Sequence, residues 1–220
     1  MRSCVVAVAG SKGSPGVSFV TAALALHLAS AGLDTLVLDA DAEDCGMGAI
    51  LGVPGSGSKR SDPIEIAGRL RLLEADGGDG RELVAFARSR FEAVVADLGH
   101  QPAPLQKQLA LAADWLLWVV SPDRLGLARA DRLLGELPLV AGSGGLILNR
   151  WRRGSPAGCQ RWLADRHRLP LMGVLRDRPS LGRHPLLERQ PHRDRVLCRP
   201  LRELARTLHP QAPEVSPAWP

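Results

Sequence analysis

Short runs of apolar residues alternate along this chain with longer stretches in which apolar residues recur every three or four positions. Short buried runs separated by amphipathic helical stretches are typical of βα units that wind a parallel sheet. The pattern therefore predicts an α/β fold with a doubly wound, mostly parallel sheet flanked by helices. Strands are predicted at 4–9, 35–39, 70–74, 91–97, 115–120, 145–149 and 171–175, and helices at 17–31, 80–90, 104–113, 123–136, 156–167 and 199–208.

The length of 220 residues suits one well-buried α/β domain rather than two. We expect this domain to span residues 1–209. Residues 210–220 contain four prolines in eleven positions and are predicted to be a disordered tail, and the Gly/Ser-rich stretch 52–61 is predicted to be a loop. No apolar run approaches the roughly 18 residues of a membrane span, and the start of the chain leads directly into a strand, so we expect a cytoplasmic protein.

Charge is distributed unevenly along the chain. Residues 1–149 carry 13 Lys and Arg against 17 Asp and Glu, whereas residues 150–220 carry 15 against 6. A basic C-terminal part is compatible with binding to nucleic acid or to an anionic membrane, and equally with ordinary solvated arginines. The four cysteines show no C-x-x-C spacing, so the sequence predicts neither a zinc nor a dithiol redox site.

A glycine-rich loop joins the first predicted strand to the first predicted helix, and it reads Ser11-Lys12-Gly13-Ser14-Pro15-Gly16-Val17-Ser18. This is the layout of a phosphate-binding P-loop, in which successive backbone N–H groups and the start of a helix converge on phosphate oxygens. The standard pattern requires glycine at Ser11 and lysine at Val17, whereas Gly16 and Ser18 fit it. The Ser18 hydroxyl stands where a Mg²⁺ ligand is expected. The alternative is a tight turn that binds nothing.

Carboxylates follow two of the predicted strands. Asp39 and Asp41 end the run Leu36-Val37-Leu38-Asp39-Ala40-Asp41, and side chains at i and i+2 of an extended segment face the same way. Asp97, followed by Leu98-Gly99, ends the strand at 91–97, as in a Walker B segment. Ligands of doubly wound sheets bind at this end of the strands. Solvated loop acids, or an N-cap in the case of Asp97, are the alternatives.

The glycine-rich loop resembles the deviant P-loop K-G-G-x-G-K-[ST] of the ParA/MinD family of P-loop ATPases. Lys12 matches the signature lysine of that family, which the resemblance implies to be catalytic and to reach the phosphates across a dimer with ATP between its subunits. The chain holds only three lysines against 25 arginines. Val17 replaces the second family lysine, which neutralises β- and γ-phosphate charge within one subunit, so the sequence leaves open whether ATP is hydrolysed.

The resemblance also implies roles for individual residues, and it extends over residues 4–208 with the fold of a P-loop NTPase. It implies that Asp41 is catalytic and orients the attacking water, that Ser18, Asp39 and Asp97 hold Mg²⁺, and that Asn149, which ends the strand Gly145–Asn149, contacts the adenine edge. The nucleotide contacts implied in this way are Ser11, Lys12, Gly13, Ser14, Pro15, Gly16, Val17, Ser18, Phe19, Asn149 and Arg150.

The function implied by the resemblance is a dimerising switch that binds ATP or ADP with Mg²⁺ and acts in intracellular positioning or assembly. Its partners would be a second copy of the chain, joined on ATP binding, and a protein of a partitioning, septum-site, pilus or secretion machine. One alternative is a catalytically inactive scaffold in a pilus, secretion or cellulose-synthesis complex. Another is a module that binds DNA or an anionic membrane through the Arg-rich region 150–206, which would place it at the nucleoid or the membrane periphery.

Overall fold

The computed structural model describes residues 3–11, 16–41, 46–53, 62–75, 77–100, 103–136, 144–152, 156–181, 184–191 and 193–210. Four of the predicted site residues, Lys12, Gly13, Ser14 and Pro15, lie outside these ranges. Most of the predicted loop and almost all of the predicted tail, residues 54–61 and 211–220, also lie outside them.

The described residues form an eight-stranded sheet in the order β3-β4-β2-β5-β1-β6-β7-β8. Every neighbouring pair is parallel except β3 and β4, which are antiparallel. The expected doubly wound, mostly parallel sheet is therefore confirmed. The strands are β1 (Cys4–Gly10), β2 (Thr35–Asp39), β3 (Ile64–Ala67), β4 (Leu70–Glu74), β5 (Ala93–Asp97), β6 (Trp115–Val120), β7 (Gly144–Trp151) and β8 (Leu171–Arg176).

Helices cover both faces of the sheet, and each face has its own apolar core. One core joins the sheet to α1, α2, α7 and α8, and the other joins it to α3, α4, α5 and α6. Side chains alternate between these two cores along the central strands, as strands buried on both faces require. The helices are α1 (Val17–Ser30), α2 (Met47–Leu51), α3 (Gly80–Arg90), α4 (Pro104–Ala112), α5 (Arg124–Glu136), α6 (Ala157–His167), α7 (Leu186–Arg189) and α8 (Cys198–Leu208).

Among the described helices, α8 is the most strongly amphipathic. Leu201, Leu204 and Leu208 are buried against α1 and β8, while Arg202 and Arg206 lie on the exposed face. Burial of each leucine contributes about 1.5–3 kcal/mol, so the apolar face is used in holding α8 to the domain. No helix in the described ranges is long and apolar enough to cross a membrane.

Three elements were not predicted from the sequence, namely β3, α2 and α7. Each has only four or five residues, which is too short for a helical or strand period to stand out. The predicted strand at 91–97 begins later, at Ala93, because Phe91 ends α3 and the amide of Glu92 bonds to Asp34. Strand β7 continues beyond the predicted end to Trp151.

Candidate functional site

The carboxyl end of β1 lies where the chain changes direction across the sheet. From β1 the chain passes through α1 to β2 on one side, whereas from β5 it passes through α4 to β6 on the other side of β1. Connections that depart in opposite directions leave a crevice at the carboxyl ends of the strands, where open α/β sheets bind ligands. The predicted site residues that the structure describes belong to segments that begin or end at this edge.

Helix α1 starts at this crevice from a residue that a side chain would disrupt. Gly16, its N-cap, has φ of 87°, and a Cβ there would collide with Nδ2 of Asn149. Within the described residues, no side chain caps the helix and its first turn contains no acidic residue. The first amides of a helix need acceptors, and its positive end attracts anions. The start of α1 is therefore suited to an anionic ligand.

The side chains around the start of α1 divide between the crevice and the core. Val17 is buried in the core beneath the helix, and Phe19 packs partly against that core. Both side chains are thus used in packing, and the nucleotide contacts of Val17 and Phe19 stay a prediction that only their backbones are placed to meet. Ser11 is buried at the end of β1. Ser18 is half-exposed, and its hydroxyl hydrogen-bonds to Asp97.

Asp39 and Asp97 are direct neighbours in the parallel pairing of β2 with β5. Val37 and Val95, two positions earlier in each strand, both belong to the core beneath α1. Because side chains alternate along a strand, both aspartates point to the same face, the one that carries α1. Their exposed fractions are 5% for Asp39 and 1% for Asp97, so two carboxylates are buried side by side at the switch point.

Burial and mutual repulsion disfavour the ionised forms of both aspartates. Loss of solvation, followed by the charge of Asp97, raises the pKa of Asp39 to about 7, against partial compensation by backbone hydrogen bonds from Asp41 and Met47. Loss of solvation also raises the pKa of Asp97 to about 6, although hydrogen bonds from the Ser18 hydroxyl and the Gly99 amide lower it. A cation between these carboxylates would relieve both effects.

Asp41 lies beside the same pair. Its amide donates a hydrogen bond of 3.1 Å to Oδ1 of Asp39, and its charge contributes to the raised pKa of both Asp39 and Asp97. The carboxylate of Asp41 lies against Gly99, where φ is 61° and an added Cβ would collide with it. The three carboxylates that the sequence singled out are therefore brought together, and Gly99 provides the space that this needs.

The oxygen atoms of this cluster fit the preferences of Mg²⁺. Oδ1 of Asp97 accepts the amide of Gly99 at 2.8 Å, whereas Oδ2 is buried and has no hydrogen-bond partner within the described residues. Across those residues, no three His, Cys, Asp or Glu side chains form a complete set of metal ligands. Mg²⁺ commonly keeps several waters and takes one or two carboxylates together with substrate phosphates, so an incomplete protein set is compatible with it.

Asn149 and Arg150 approach the crevice from β7. Asn149 is 4% exposed, and its carboxamide lies against Gly16 at the start of α1. Arg150 is exposed and has φ of 61°. The pairing of β7 with β8 shifts register between Leu148 and Trp151, so this bulge turns Arg150 out of the regular alternation. Asn149 and Arg150 therefore both lie at the edge of the site, but Asn149 is buried and Arg150 is exposed.

Sequence reasoning missed two contributors to the cluster. Gly99 was recognised only as part of the motif that follows Asp97, although its lack of a Cβ is what leaves room for Asp41. Gln106, in α4, donates from Nε2 to the carbonyl of Ala40, between Asp39 and Asp41, at 2.6 Å. The two residues are 66 positions apart, and no local pattern could have indicated the contact.

Solved structures of similar fold match nearly the whole chain, although no family model and no curated protein sequence matches it. MinD from Pyrococcus horikoshii OT3, complexed with Mg-ADP, has a TM-score of 0.75 and 18% identity over 94% of this chain and 96% of its own. The MinC:MinD complex of Aquifex aeolicus gives 0.73 and 19% over 97% and 98%. A ParA family ATPase from Chlorobium tepidum TLS gives 0.70 and 16% over 94% and 98%.

The matched regions leave out little of either molecule, so this chain and these proteins share their overall fold. At such identities the likeness concerns backbone architecture, and it agrees with the order of strand, glycine-rich loop, helix and strand-end aspartates read from the sequence. The chain has the P-loop NTPase fold of the MinD and ParA ATPases.

Proposed function

We propose that this protein is a member of the ParA/MinD family that binds ATP or ADP with Mg²⁺ and acts as a dimerising switch in intracellular positioning or assembly. In this proposal ATP joins two copies of the chain, the dimer recruits a protein partner of a partitioning, septum-site, pilus or secretion machine, and slow hydrolysis releases it. Cytoplasmic location with peripheral recruitment to a surface is part of the same proposal.

One observation carries the proposal. No side chain among the described residues caps the start of α1, which lies at the switch point beside the buried pair Asp39 and Asp97. A helix end suited to an anion and a carboxylate pair suited to a cation are therefore adjacent. A ligand that satisfies both must offer negative oxygens and bring a divalent cation. A magnesium-bound polyphosphate has that composition, and its phosphates would lie against the backbone of residues 11–18.

The residues present fit Mg²⁺, which Ser18, Asp39 and Asp97 would hold. When bound, Mg²⁺ would neutralise phosphate charge and that of the buried carboxylates. The chain itself supplies the Ser18 hydroxyl, the unpartnered Oδ2 of Asp97 and, in Asp41, a carboxylate that can hold the proton of an attacking water. Asn149 would contact the adenine edge and Arg150 the outer side of the nucleotide.

Hydrolysis is proposed to be slow because of the residue at position 17. The family lysine there is replaced by Val17, whose side chain is buried in the core. Lys12 remains as the cation that would reach the phosphates, and by resemblance it would do so across the dimer. Electrostatic stabilisation of the transition state usually contributes most to such reactions, so the loss of one lysine lowers the rate more than the affinity.

A titration of the protein with ATP and with ADP, with and without Mg²⁺, tests the binding proposal. Binding that is specific to the folded protein raises the melting temperature with ligand concentration. We expect a rise with both nucleotides that is larger with Mg²⁺, and a doubling of the sedimenting mass with Mg-ATP but not with Mg-ADP. Absence of any thermal shift at millimolar Mg-nucleotide would refute the proposal.

Turnover is tested with two variants and their matched controls. Lys12→Ala and Asp41→Asn should each lower the rate of ATP hydrolysis at least tenfold. The control for the first is Lys107→Ala, on the exposed side of α4, and the control for the second is Asp62→Asn, which is exposed. Hydrolysis that survives both site variants would remove the assigned roles of Lys12 and Asp41.

An inactive scaffold is the alternative that Val17 favours. Such a protein would bind nucleotide, or none, without turnover, and its dimer would not depend on hydrolysis. The variant Val17→Lys distinguishes the two proposals, because an enzyme that already works through Lys12 gains little from a second lysine. A clear rate in the wild-type protein argues against the scaffold. Val17→Met, which fills the same core position without charge, controls for disturbed packing.

A second candidate function is binding of DNA or an anionic membrane through the Arg-rich region 150–206. Arg176, Arg189 and Arg195 are exposed and have no ion pair within the described residues. The apolar face of α8 is buried in the domain, so attraction would rest on charge alone and fall steeply with salt. Retention of the protein by duplex DNA or anionic vesicles at 50 mM but not at 300 mM salt tests it.

A further inference from the structure

The peptide unit between Ala40 and Asp41 is held at both of its polar groups. Its N–H, on Asp41, donates to Oδ1 of Asp39 at 3.1 Å, and its carbonyl, on Ala40, accepts from Nε2 of Gln106 at 2.6 Å. The preceding amide, on Ala40, bonds to the carbonyl of Asp97 at 2.9 Å. This peptide unit determines the direction in which the Asp41 side chain leaves the backbone.

Gln106 is the contact in this set that comes from outside the sheet. It lies in the first turn of α4, the helix that follows the Asp97-Leu98-Gly99 segment along the chain. Leu105 and Leu109 bury α4 against the sheet, so the glutamine is presented from a packed helix. A displacement of α4 relative to β2 would therefore act directly on the carbonyl of Ala40.

The second polar atom of Gln106 has no equivalent contact. Its Oε1 is buried and has no hydrogen-bond partner within the described residues. A buried amide acceptor without a partner is unfavourable, because it has lost its hydrogen bonds to water. The side chain thus keeps its donor on Ala40 although its acceptor has no partner among the described residues, which is unexpected for a glutamine that only fills space.

We propose that Gln106 is a positioning residue that fixes the Ala40–Asp41 peptide unit and makes the placement of Asp41 depend on the position of α4. The part that concerns nucleotide rests on the proposed function. A ligand that moves the segment after Asp97 moves the start of α4, and Gln106 transmits this movement to Asp41. Without the glutamine, Asp41 keeps its bond to Asp39 and loses its connection to α4.

The first experiment uses the protein without nucleotide, so it is independent of the proposed function. Amide hydrogen exchange is measured by NMR for wild type and for Gln106→Met, which keeps the length of the side chain and lacks the amide. We expect exchange of the Asp41 amide to be at least about fivefold faster in the variant, because local opening no longer has to break the bond to Ala40.

Gln108→Met is the matched control on the same helix. The Oε1 of Gln108 accepts the amide of Gly80 at 2.7 Å and so ties α4 to the start of α3, away from the carboxylate cluster. This control should speed exchange at Gly80 and leave Asp41 unchanged. Equal exchange of Asp41 in wild type and in folded Gln106→Met would overturn the proposal.

A measurement on the wild-type protein decides the case in which Gln106→Met does not fold. The side-chain NH₂ resonances of Gln106 then report the contact directly. Slowed solvent exchange of these protons, relative to free glutamine, supports the hydrogen bond to Ala40. Exchange as fast as that of free glutamine overturns it.

The second experiment adds Mg-ATP and measures turnover. We expect Gln106→Met to keep its KM within about twofold and to lose at least fivefold in kcat, whereas Gln108→Met keeps both. A change in KM as large as the fall in kcat, or an unchanged kcat, would overturn the link to Asp41. If wild type binds no nucleotide, the proposed function fails, and the exchange experiment still decides whether Gln106 fixes the peptide.

Discussion

The two edges of the sheet differ in how their aspartate carboxylates are paired. At the amino ends of the strands, Asp114 accepts the amide of Val5 at 2.7 Å and the guanidinium of Arg88 at 2.9 Å, and the same arginine donates to the carbonyls of Ser3 and Ala112. At the carboxyl ends, Asp39 and Asp97 are buried beside each other, and Oδ2 of Asp97 has no partner within the described residues.

The difference separates a carboxylate whose pairing stabilises the domain from a pair of carboxylates whose burial does not. A carboxylate that is fully paired with donors contributes to stability, whereas two adjacent carboxylates that share few donors reduce it. Proteins retain such destabilising arrangements mainly at functional sites. The contrast concerns the same residue type at opposite ends of strands of one sheet: Asp114 is partly buried and paired with donors, whereas Asp39 and Asp97 are fully buried beside each other.

The largest expected effect comes from breaking the amino-end cluster. Arg88→Met should lower the free energy of unfolding by about 1–3 kcal/mol, because Asp114 loses a charged donor and the carbonyls of Ser3 and Ala112 each lose a hydrogen bond. The measurement is urea denaturation at pH 7.5. Arg199→Met, which removes an exposed ion pair with Glu203, should leave stability almost unchanged, because solvent screens that pair. Equal effects of both variants would mean that the amino-end pairing is not stabilising.

The same substitution at the two edges should have opposite signs. Without nucleotide or Mg²⁺ at pH 8, we expect Asp97→Asn to stabilise the protein by about 1–2 kcal/mol, because it removes one of two repelling charges. Asp114→Asn should destabilise it by about 1–2 kcal/mol, because a charged acceptor of Arg88 is lost. Destabilisation by Asp97→Asn would contradict the distinction between the edges. Asp97→Asn should also abolish the effect of Mg²⁺ on nucleotide binding.

Stability should depend on pH through the carboxyl-end pair. The pKa of Asp39 is raised to about 7 and that of Asp97 to about 6, from a usual 3.8, so the folded state binds more protons than the unfolded state between about pH 4 and 7. Stability therefore rises as pH falls from 8 to about 6.5, by roughly 1 kcal/mol. Subtracting the profile of the double variant Asp39→Asn, Asp97→Asn removes the contribution of other titrating groups. If the difference in stability between wild type and the double variant does not vary with pH, the pKa values of Asp39 and Asp97 are not raised.

The smallest expected effect concerns Arg150, at the carboxyl edge. Its φ of 61° is strained for a residue with a side chain, so Arg150→Gly should raise the free energy of unfolding by about 0.5–1 kcal/mol. Arg150→Ala keeps the strain and should give no gain. If the guanidinium contacts nucleotide, both variants lower nucleotide affinity to the same extent. Unchanged affinity in both would remove Arg150 from the site while leaving the strain argument intact.

Much of the fold was predictable because its signals are local. The βα alternation, the order of the elements and the position of Asp97 at a strand end follow from hydrophobic periods that extend over five to fifteen residues. The short elements β3, α2 and α7 gave no such signal. The interior packing of Val17, the bulge at Arg150 and the contact of Gln106 with Ala40 depend on neighbours from distant parts of the chain, and local patterns carry no information about them.

The sequence by itself determined which residue types stand at the ends of which strands: a glycine-rich loop after β1, aspartates at the ends of β2 and β5, and an asparagine near the end of β7. Tertiary structure decided what those residues experience. The register of β2 with β5 makes Asp39 and Asp97 neighbours, and burial beneath α1 raises their pKa values. Gly16 and Gly99, which have positive φ and no Cβ, let Asn149 and Asp41 approach the backbone. Strand order and register are cooperative properties of the whole sheet, so the electrostatics of the site exist only once the chain has folded.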